Sequence, residues 1–277
     1  MSRDTPATAL SAAEKHMDLL AFLESLPPPR PPPDSRTLEP DRNSMLYWFP
    51  KIAAAGLPVP ETELVRIDNR TLWPLCDGLP VPDAPEAELR QAAERIGFPC
   101  FIRSDQSSAK HSGPRAYRAD SPEGVLPVVL DTFMDSCLKD LTVLAFAFRR
   151  WLDLDAPFRA FGYGDDPGHP IACEWRAFAD SERCWCIHFY WPDYAIEGHN
   201  PTREDWRETL ADLASELPPS YLPALAIKAV RALGENPTHR WSVDFARAQG
   251  GNWWVIDMAA AESSWHPEEC VYRGTKT

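Results

Sequence analysis

The sequence predicts an α+β fold, and three observations support this prediction. Strand-like runs cluster after the middle of the chain, over residues 142–152, 158–163, 171–179 and 184–191. Clusters of Asp, Gly and Pro separate these runs and favour antiparallel pairing between them. Helical patterns occur among the strands without the regular strand–helix alternation of a doubly wound parallel sheet. The chain also lacks the GxGxxG and GxxxxGK(S/T) loops of the common nucleotide-binding folds.

The N-terminal region is predicted to form an appendage to the globular part. Residues 11–26 begin with Ser11 and Glu14 in the spacing of a capping box and continue with an apolar face at helical spacing. A proline-rich run over residues 27–33 follows and favours an extended polyproline segment, which ends the helix. We interpret this Pro-rich arm as a linker, with recognition of a partner as the alternative.

Local signals place the elements of the globular part. Gly97 ends a helix that begins near Pro85, and a strand over 100–103 follows it. Pro122 at the first position of the next helix and Pro127 inside it predict a delayed start or a kink. The remaining predicted elements are a short helix before Gly56, a strand over 62–67, helices over 202–217 and 220–233, and strands over 241–246 and 252–258.

Composition limits the functional classes. The chain has 277 residues, of which 44% are hydrophobic, enough for one large domain or about two to three small lobes. A formal net charge of −13 argues against a general nucleic-acid binder, because phosphate backbones are bound mainly by excess Lys and Arg. No run approaches the roughly 20 apolar residues that a membrane helix needs. The polar N-terminus and the odd number of cysteines, seven, predict a cytoplasmic location.

Two carboxylates occur on the last two predicted strands. Strand alternation places Val243 and Phe245 on one face and Asp244 on the other, while Asp257 lies near the end of an apolar strand. Such carboxylates are costly to bury unless a positive charge neutralises them. Mg²⁺, which takes one or two carboxylates together with substrate phosphates, would do so. Pairing of each carboxylate with an arginine is the alternative.

A second feature is the run from Phe101 to Gly113. The predicted strand ends with Arg103, and a loop of small polar residues that carries Lys110 follows it. A fixed guanidinium beside a mobile ammonium suits a polyphosphate. An exposed polar turn is the alternative interpretation.

Taken in order, these motifs resemble those of the ATP-grasp superfamily, whose members hold Mg-ATP between two α+β lobes. The similarity is greatest to the bacterial and phage branch, in which arginine replaces the first nucleotide-binding lysine. It covers about residues 45–270. With the N-terminal helix and linker assigned to 1–43, it implies a short N-terminal domain over 44–84, a central lobe over 85–150 and a C-terminal lobe over 151–277.

The resemblance also implies roles for residues that would bind ATP. Arg103 and Lys110 would contact the phosphates, with Lys110 on a flexible lid loop over 107–113. Trp151 and Leu152 fall on the strand that connects the lobes, whose apolar side chains would flank the adenine ring. This chain has Arg149 and Arg150 where the family usually has a ribose-binding acid, and the possible replacements are Asp153 and Asp155.

For catalysis and metal binding, the resemblance implies a second set of residues. Arg159 and Arg176 would contact the transferred phosphate or the acyl intermediate, and Glu174 would orient either; cross-strand ion pairs are the alternative. Asp244 and Asp257 would bind Mg²⁺. The usual asparagine after the second acid is replaced by Ala259, so Glu262 is the candidate third ligand.

The implied function is an ATP- and Mg²⁺-dependent ligase that joins a small-molecule or peptide carboxylate to an amine or similar nucleophile through an acyl phosphate. The alternative is an ATP-binding assembly factor of the same fold that acts on a protein partner without ligase turnover. A phosphotransferase that uses the same ATP site is a third interpretation.

Two further groups of residues have competing interpretations. Cys184, Cys186 and His188 are predicted to share one face of a strand and would form a soft-metal site if Cys173 or Cys270 completed it. Buried structural cysteines are the commoner case. His266 is interpreted as a loop histidine, with a general base at the acceptor site as the alternative.

Overall fold

The computed structural model describes residues 34–110 and 116–273. The predicted helix over 11–26 and the Pro-rich arm lie outside the described residues, as does the second half of the predicted lid loop. The domain boundaries inferred from the sequence stay a prediction.

The described residues form α-helices and β-strands in mixed order, which confirms the α+β class. The α-helices are α1 (Met45–Ala54), α2 (Trp73–Cys76), α3 (Asp83–Ile96), α4 (Val125–Leu138), α5 (Trp206–Ser215) and α6 (Leu222–Leu233). The strands are β1 (Thr62–Arg66), β2 (Cys100–Ser104), β3 (Arg118–Ala119), β4 (Ala145–Arg150), β5 (Phe158–Ala160), β6 (His169–Ile171), β7 (Glu174–Ala179), β8 (Cys184–Phe189), β9 (Trp241–Arg247) and β10 (Trp253–Ala260).

The strands form two four-stranded sheets and one two-stranded ribbon. The first sheet has the order β1-β4-β2-β3, the second has the order β10-β9-β7-β8, and β5 pairs with β6. All of the strand pairs among the described residues are antiparallel, an arrangement that the sequence predicted for the four runs after residue 142. Gly250 and Gly251 close the β9–β10 hairpin with φ angles of +86° and +84°, a conformation that favours glycine.

Alternation along the strands of the first sheet separates a core face from a polar face. Cys100 and Ile102 on β2 are fully buried and pack with Leu89 of α3 and Val129 of α4. Arg103, between Ile102 and Ser104, therefore lies on the opposite face of this strand. This face borders the cleft between the two sheets.

The second sheet is built in the same way. Val243 and Phe245 of β9 and Ala177 of β7 are buried in a cluster that also contains Ala226 of α6 and Trp48 of α1. The alternate residues of β7 and β9, among them Glu174, Arg176 and Asp244, consequently share the other face.

One predicted strand is divided in the structure. The run predicted over 171–179 is divided between β6, which ends at Ile171, and β7, which begins at Glu174. Strand β6 pairs with β5, and the chain then leaves this ribbon at Ala172 and Cys173 to enter the second sheet. By contrast, the predicted delay near Pro127 is confirmed, because a 3₁₀ turn over Pro122–Gly124 precedes α4.

None of the described helices has the length and apolar character needed to span a bilayer.

Candidate active site

A cleft lies between the polar faces of the two four-stranded sheets. It is lined from the first sheet by Phe101, Arg103 and Arg149, and from the second by Glu174, Asp244 and Asp257. Seven of the residues predicted for the site line this one cleft: Arg103, Lys110, Arg149, Trp151, Leu152, Asp244 and Asp257. The tertiary structure thus brings together residues from both ends of the globular part.

The cationic side of the cleft is formed by Arg103 and Arg149. Phe101 lies opposite Arg149 in the β2–β4 register, so Arg103 is the diagonal neighbour of Arg149 on the same face. Arg103 is 3% exposed, and its Nη1 lies 3.0 Å from Oδ2 of Asp257 on the other sheet. One arginine of the first sheet is therefore in direct contact with a predicted metal ligand of the second.

Arg149 is the most unusual cation of the cleft. It is 4% exposed, and its Nε and Nη1 donate to Thr62 Oγ1 at 3.3 Å and to the Ile256 carbonyl at 2.7 Å. Its Nη2 is buried without a hydrogen-bond partner among the described residues. Burial, reinforced by the nearby charge of Arg103, lowers the pKa of Arg149 to about 9. A buried donor left unsatisfied at the edge of a cleft fits an anionic ligand.

Lys110 and Glu174 form a buried ion pair at another side of the cleft. Lys110 Nζ lies 3.3 Å from Oε2 of Glu174 and above the rings of Tyr190 and Trp191, at 3.9 and 4.8 Å from their centroids. Glu174 is 1% exposed and also accepts from Nε1 of Trp191 at 3.2 Å. Glu174 thus pairs with Lys110, whereas the sequence interpretation assigned it to Arg159 or Arg176.

The charge states of this pair have opposing causes. Burial by itself would lower the pKa of Lys110, but the Glu174 carboxylate and Tyr190 outweigh it and the pKa is raised. Burial also raises the pKa of Glu174, against the effect of Lys110. Lys110 therefore keeps its charge at neutral pH and remains available as a cation of the cleft.

One row of side chains crosses the second sheet. His188, Arg176, Asp244 and Asp257 stand directly opposite one another on β8, β7, β9 and β10. Arg176 donates from Nε and Nη2 to the two oxygens of Asp244, at 2.7 Å each. Its Nη1 also donates to the carbonyl of Trp265 at 3.2 Å. The predicted pair of carboxylates is therefore present, because Asp244 and Asp257 lie opposite each other on the neighbouring strands β9 and β10.

A β-bulge is what places Asp257 on the cleft face. Val255 pairs with Phe245 and faces the core, so strict alternation would direct Asp257 into the core as well. The register shifts between Val255 and Asp257, and Asp257 pairs with Asp244 instead. Met258 then returns to the core.

Both acids are neutralised by arginines, which is the alternative that the sequence left open. Asp244 is 4% exposed and uses both oxygens for Arg176, whereas Asp257 is partly exposed and binds Arg103 through Oδ2. Two carboxylates on facing positions nevertheless fit a Mg²⁺ ion, which takes its other ligands from phosphate and water. The donor set of the cleft is thus compatible with Mg²⁺ and a polyphosphate.

Glu262 is not brought to this pair. Its carboxylate lies 3.3 Å from Arg42 Nη1, is 72% exposed and borders a different cavity. The turn after β10 directs it away, because Ala261–Ser263 form a 3₁₀ turn immediately after the strand. The structure therefore does not support Glu262 as the third metal ligand.

Three further predicted residues, Arg159, Asp153 and Asp155, lie outside the cleft lining, as does Arg176. Arg159 on β5 donates from Nη1 to the carbonyl of Gly168 at 3.0 Å, within its own two-stranded ribbon. Asp153 is exposed, and its backbone carbonyl accepts from the N–H of Gln249 at 2.7 Å. The other ribose candidate, Asp155, pairs with Arg247 at 2.8 Å. None of the three is in the lining in this structure.

The predicted adenine region contains residues that the sequence did not single out. Trp151 lines the cleft, but its ring is stacked with Tyr117, at 6.4 Å between centroids, and lies under the guanidinium of Arg118 at 4.7 Å. Tyr117 and Ile256 also line the cleft. Ile256 is the bulge residue of β10, so its exposure to the cleft has no signal in a pattern of simple alternation.

Comparison with known proteins gives matches among solved structures. No protein-family model matches the chain, and no curated protein matches it. A carboxyaminoimidazole ribonucleotide synthase from Aspergillus clavatus, complexed with ATP, has a TM-score of 0.43 and 13% identity over 79% of this chain and 44% of that one. Ligases are among the matches.

Two of these are named as ligases. The ATP-grasp ligase PsnB, complexed with a minimal precursor, has a TM-score of 0.40 and 14% identity over 84% of this chain and 54% of that one. The D-alanine–D-alanine ligase of Bacillus anthracis, complexed with ATP, has a TM-score of 0.42 and 8% identity over 79% of this chain and 53% of that one. The chain spans about half the length of these three solved proteins.

Proposed function

We propose that the chain is an ATP-grasp enzyme that binds Mg-ATP in the cleft and ligates a carboxylate to an amine. One observation carries this proposal: Asp244 and Asp257, in register on neighbouring strands, face a buried arginine whose Nη2 has no hydrogen-bond partner among the described residues. Paired acids opposite a cation with an unsatisfied donor are the arrangement expected for a metal-bound polyphosphate.

The phosphates of ATP are assigned to the three cations of the cleft. Arg149 supplies the unsatisfied Nη2, Arg103 the buried guanidinium next to it, and Lys110 an ammonium from the lid loop. The adenine ring is assigned to the apolar part of the lining around Leu152 and Ile256. Trp151 is stacked with Tyr117 and lies under Arg118. It therefore forms a wall of this apolar region and does not stack on the adenine ring.

Asp244 and Asp257 would hold Mg²⁺, which supplies positive charge to the phosphate oxygens during transfer. Arg176 binds both oxygens of Asp244 and so fixes the carboxylate in place. Arg103 does the same for Asp257 through one oxygen. These arginines also compete with the metal for the acids, so binding of Mg²⁺ and ATP is expected to be mutually dependent.

The proposed reaction has two steps. An oxygen of the carboxylate substrate attacks the γ-phosphorus of ATP, which gives an acyl phosphate and releases ADP. The amine nitrogen then attacks the acyl carbon, the bond to the phosphate oxygen breaks, and the nitrogen loses a proton. Arg103, Lys110 and Arg149 stabilise the negative charge that develops in the first step.

The first experiment measures ADP and phosphate release from Mg-ATP with a panel of carboxylates and amines, together with mass spectrometry of the condensed product. Release that requires both a carboxylate and an amine supports the ligase. Phosphorylated substrate without condensation identifies a phosphotransferase, and capture of one protein with negligible turnover identifies an assembly factor. Absence of ATP binding in the presence of Mg²⁺ contradicts the proposal as a whole.

A further inference from the structure

A second group of side chains lies at the β8 edge of the second four-stranded sheet, opposite the β10 edge that carries Asp257. Cys186 and His188 of β8 and His266 and Cys270 of the C-terminal segment have ligand atoms that all lie within 4.8 Å of one another. Cys186 Sγ is 3.2 Å from Nε2 of His266. Nε2 of His188 is buried and has no hydrogen-bond partner among the described residues.

The course of the backbone explains why Cys186 belongs to this group and the neighbouring Cys184 does not. Cys186 and His188 are two apart on β8 and share a face. The β7–β8 register shifts at this point. Phe178 of β7 pairs with Cys186 and its neighbour Ala179 pairs with Cys184, so the residue of β8 between the two cysteines bulges out. Cys184 consequently packs against the hydrophobic core, and the sequence interpretation that placed it with Cys186 and His188 on one face is wrong.

We propose that Cys186, His188, His266 and Cys270 bind one structural zinc ion. Two thiolates and two imidazoles are a common donor set of closed zinc sites. At zinc–ligand distances of about 2.0–2.3 Å, tetrahedral ligands lie within about 4 Å of one another, close to the spread found here. Two thiolates balance the charge of the ion, which suits a half-buried position.

Protonation of the free side chains is compatible with this site. Burial lowers the pKa of His188, and burial together with the charge of His188 and nearby arginines lowers that of His266 to about 4, so both imidazoles are neutral. Burial raises the pKa of the Cys186 thiol. Zinc binding at Cys186 therefore releases a thiol proton to solvent.

The ion would attach the C-terminal segment to the edge of the sheet. His266 and Cys270 follow Trp265, whose carbonyl accepts a hydrogen bond from Arg176. His188 lies in the same cross-strand row as Arg176. The zinc site therefore supports Arg176 from the side away from Asp244, and it does so whether or not the cleft binds ATP.

The test is the metal content of the full-length chain, expressed with added zinc and purified by gel filtration. We expect one zinc ion per chain in the wild type, and loss of most of it in Cys186→Ala and Cys270→Ala. Cys184→Ala is the matched control, because this thiol is two residues away and faces the core. Equal zinc content in the control and in the two ligand variants would overturn the proposal.

Cobalt substitution keeps the test decisive if a variant fails to fold. We expect the wild type to bind Co²⁺ with the absorption bands of tetrahedral thiolate coordination, and added zinc to abolish them. Binding without thiolate bands, or mass spectrometry that finds Cys186 and Cys270 joined as a disulfide, would overturn the zinc site. Because neither measurement involves ATP, failure here is distinguishable from failure of the ligase proposal.

Discussion

Arg176 and Asp244 face each other on β7 and β9 and are joined by two hydrogen bonds of 2.7 Å. Both side chains are largely buried, with 12% and 5% of their surfaces exposed. Burial alone would lower the pKa of Arg176, but the Asp244 carboxylate outweighs it and raises the pKa. Arg176 therefore keeps its charge, and the two hydrogen bonds hold Asp244, the first predicted metal ligand, in a fixed orientation.

Removing the arginine should destabilise the protein more than removing both charges. Arg176→Met leaves the Asp244 carboxylate buried without its partner, and we expect a loss of about 3–5 kcal/mol in the free energy of unfolding. Arg176→Met combined with Asp244→Asn should recover most of this loss and still lack ligase turnover. Urea unfolding of the wild type, the single variant and the double variant measures the effect. Equal stability of the single and double variants would contradict the pairing.

Asp257→Asn should abolish the Mg²⁺ dependence of ATP binding. The amide is isosteric but uncharged, so it binds Mg²⁺ weakly, and we expect the Kd for ATP in the presence of Mg²⁺ to rise at least about tenfold, or about 1.4 kcal/mol. Isothermal titration with and without Mg²⁺ measures both values. Glu262→Gln is the control, since this carboxylate pairs with Arg42 away from the cleft and should leave the Kd unchanged. An unaltered Mg-ATP affinity in the Asp257 variant would remove it from the metal site.

Lys110→Ala should reduce turnover more than ATP binding if its loop closes only during the reaction. The substitution also leaves Glu174, which is 1% exposed, without its ion-pair partner. We therefore expect the free energy of unfolding to fall by about 3–5 kcal/mol because of the unpaired buried charge. Lys110→Met with Glu174→Gln separates the two effects, because it restores a buried pair without charge. We expect this double variant to regain stability and to remain slow. Full turnover in the stable double variant would exclude Lys110 from the phosphate site.

The affinity for ATP should decline at alkaline pH because of Arg149. Its pKa is lowered to about 9, mainly by burial, so the guanidinium is charged at neutral pH and loses its proton as the pH rises through this value. We expect the Kd for ATP to rise by up to about tenfold per pH unit above about pH 9. Arg149→Gln should bind more weakly and lack this dependence. As a control, Arg203→Gln, at an exposed pair with Asp205, should keep the wild-type profile. An identical pH profile for the Arg149 variant would show that another group titrates.

Much of the fold could be predicted because its signals are local. Helix α3 was placed by Gly97 and α4 by the two prolines, and both agree with the structure to within a few residues. The core and cleft faces of β2 and β9 follow from alternation, which is a property of extended backbone at every position. Strand β5 lies within the run predicted over 158–163, but β6 was not separated from β7, because a strand of three residues is too short for a periodic pattern of its own.

The candidate site was predicted less completely than the fold. Arg103, Asp244 and Asp257 were singled out by charge at strand positions, and the structure brings them to one cleft. The roles of Glu262 and Arg159 were inferred from the order of motifs alone; the chain turns away from the cleft at Glu262, and the Arg159 guanidinium binds the Gly168 carbonyl instead of lining the cleft. Bulges at Ile256 and in β8 decide which face Asp257 and Cys184 occupy, and a one-residue shift has no signature in composition or spacing.

The amino-acid sequence by itself determined the α+β class, the order of the elements and the faces of the regular strands. Only the tertiary structure decided that Lys110 pairs with Glu174, 64 residues away, and that Cys186 meets His266, 80 residues away. Helix and strand patterns arise from interactions between near neighbours in the chain and are repeated at every turn or pleat. Long-range pairs depend instead on how two sheets pack and where their registers shift, and those depend on the whole folded chain.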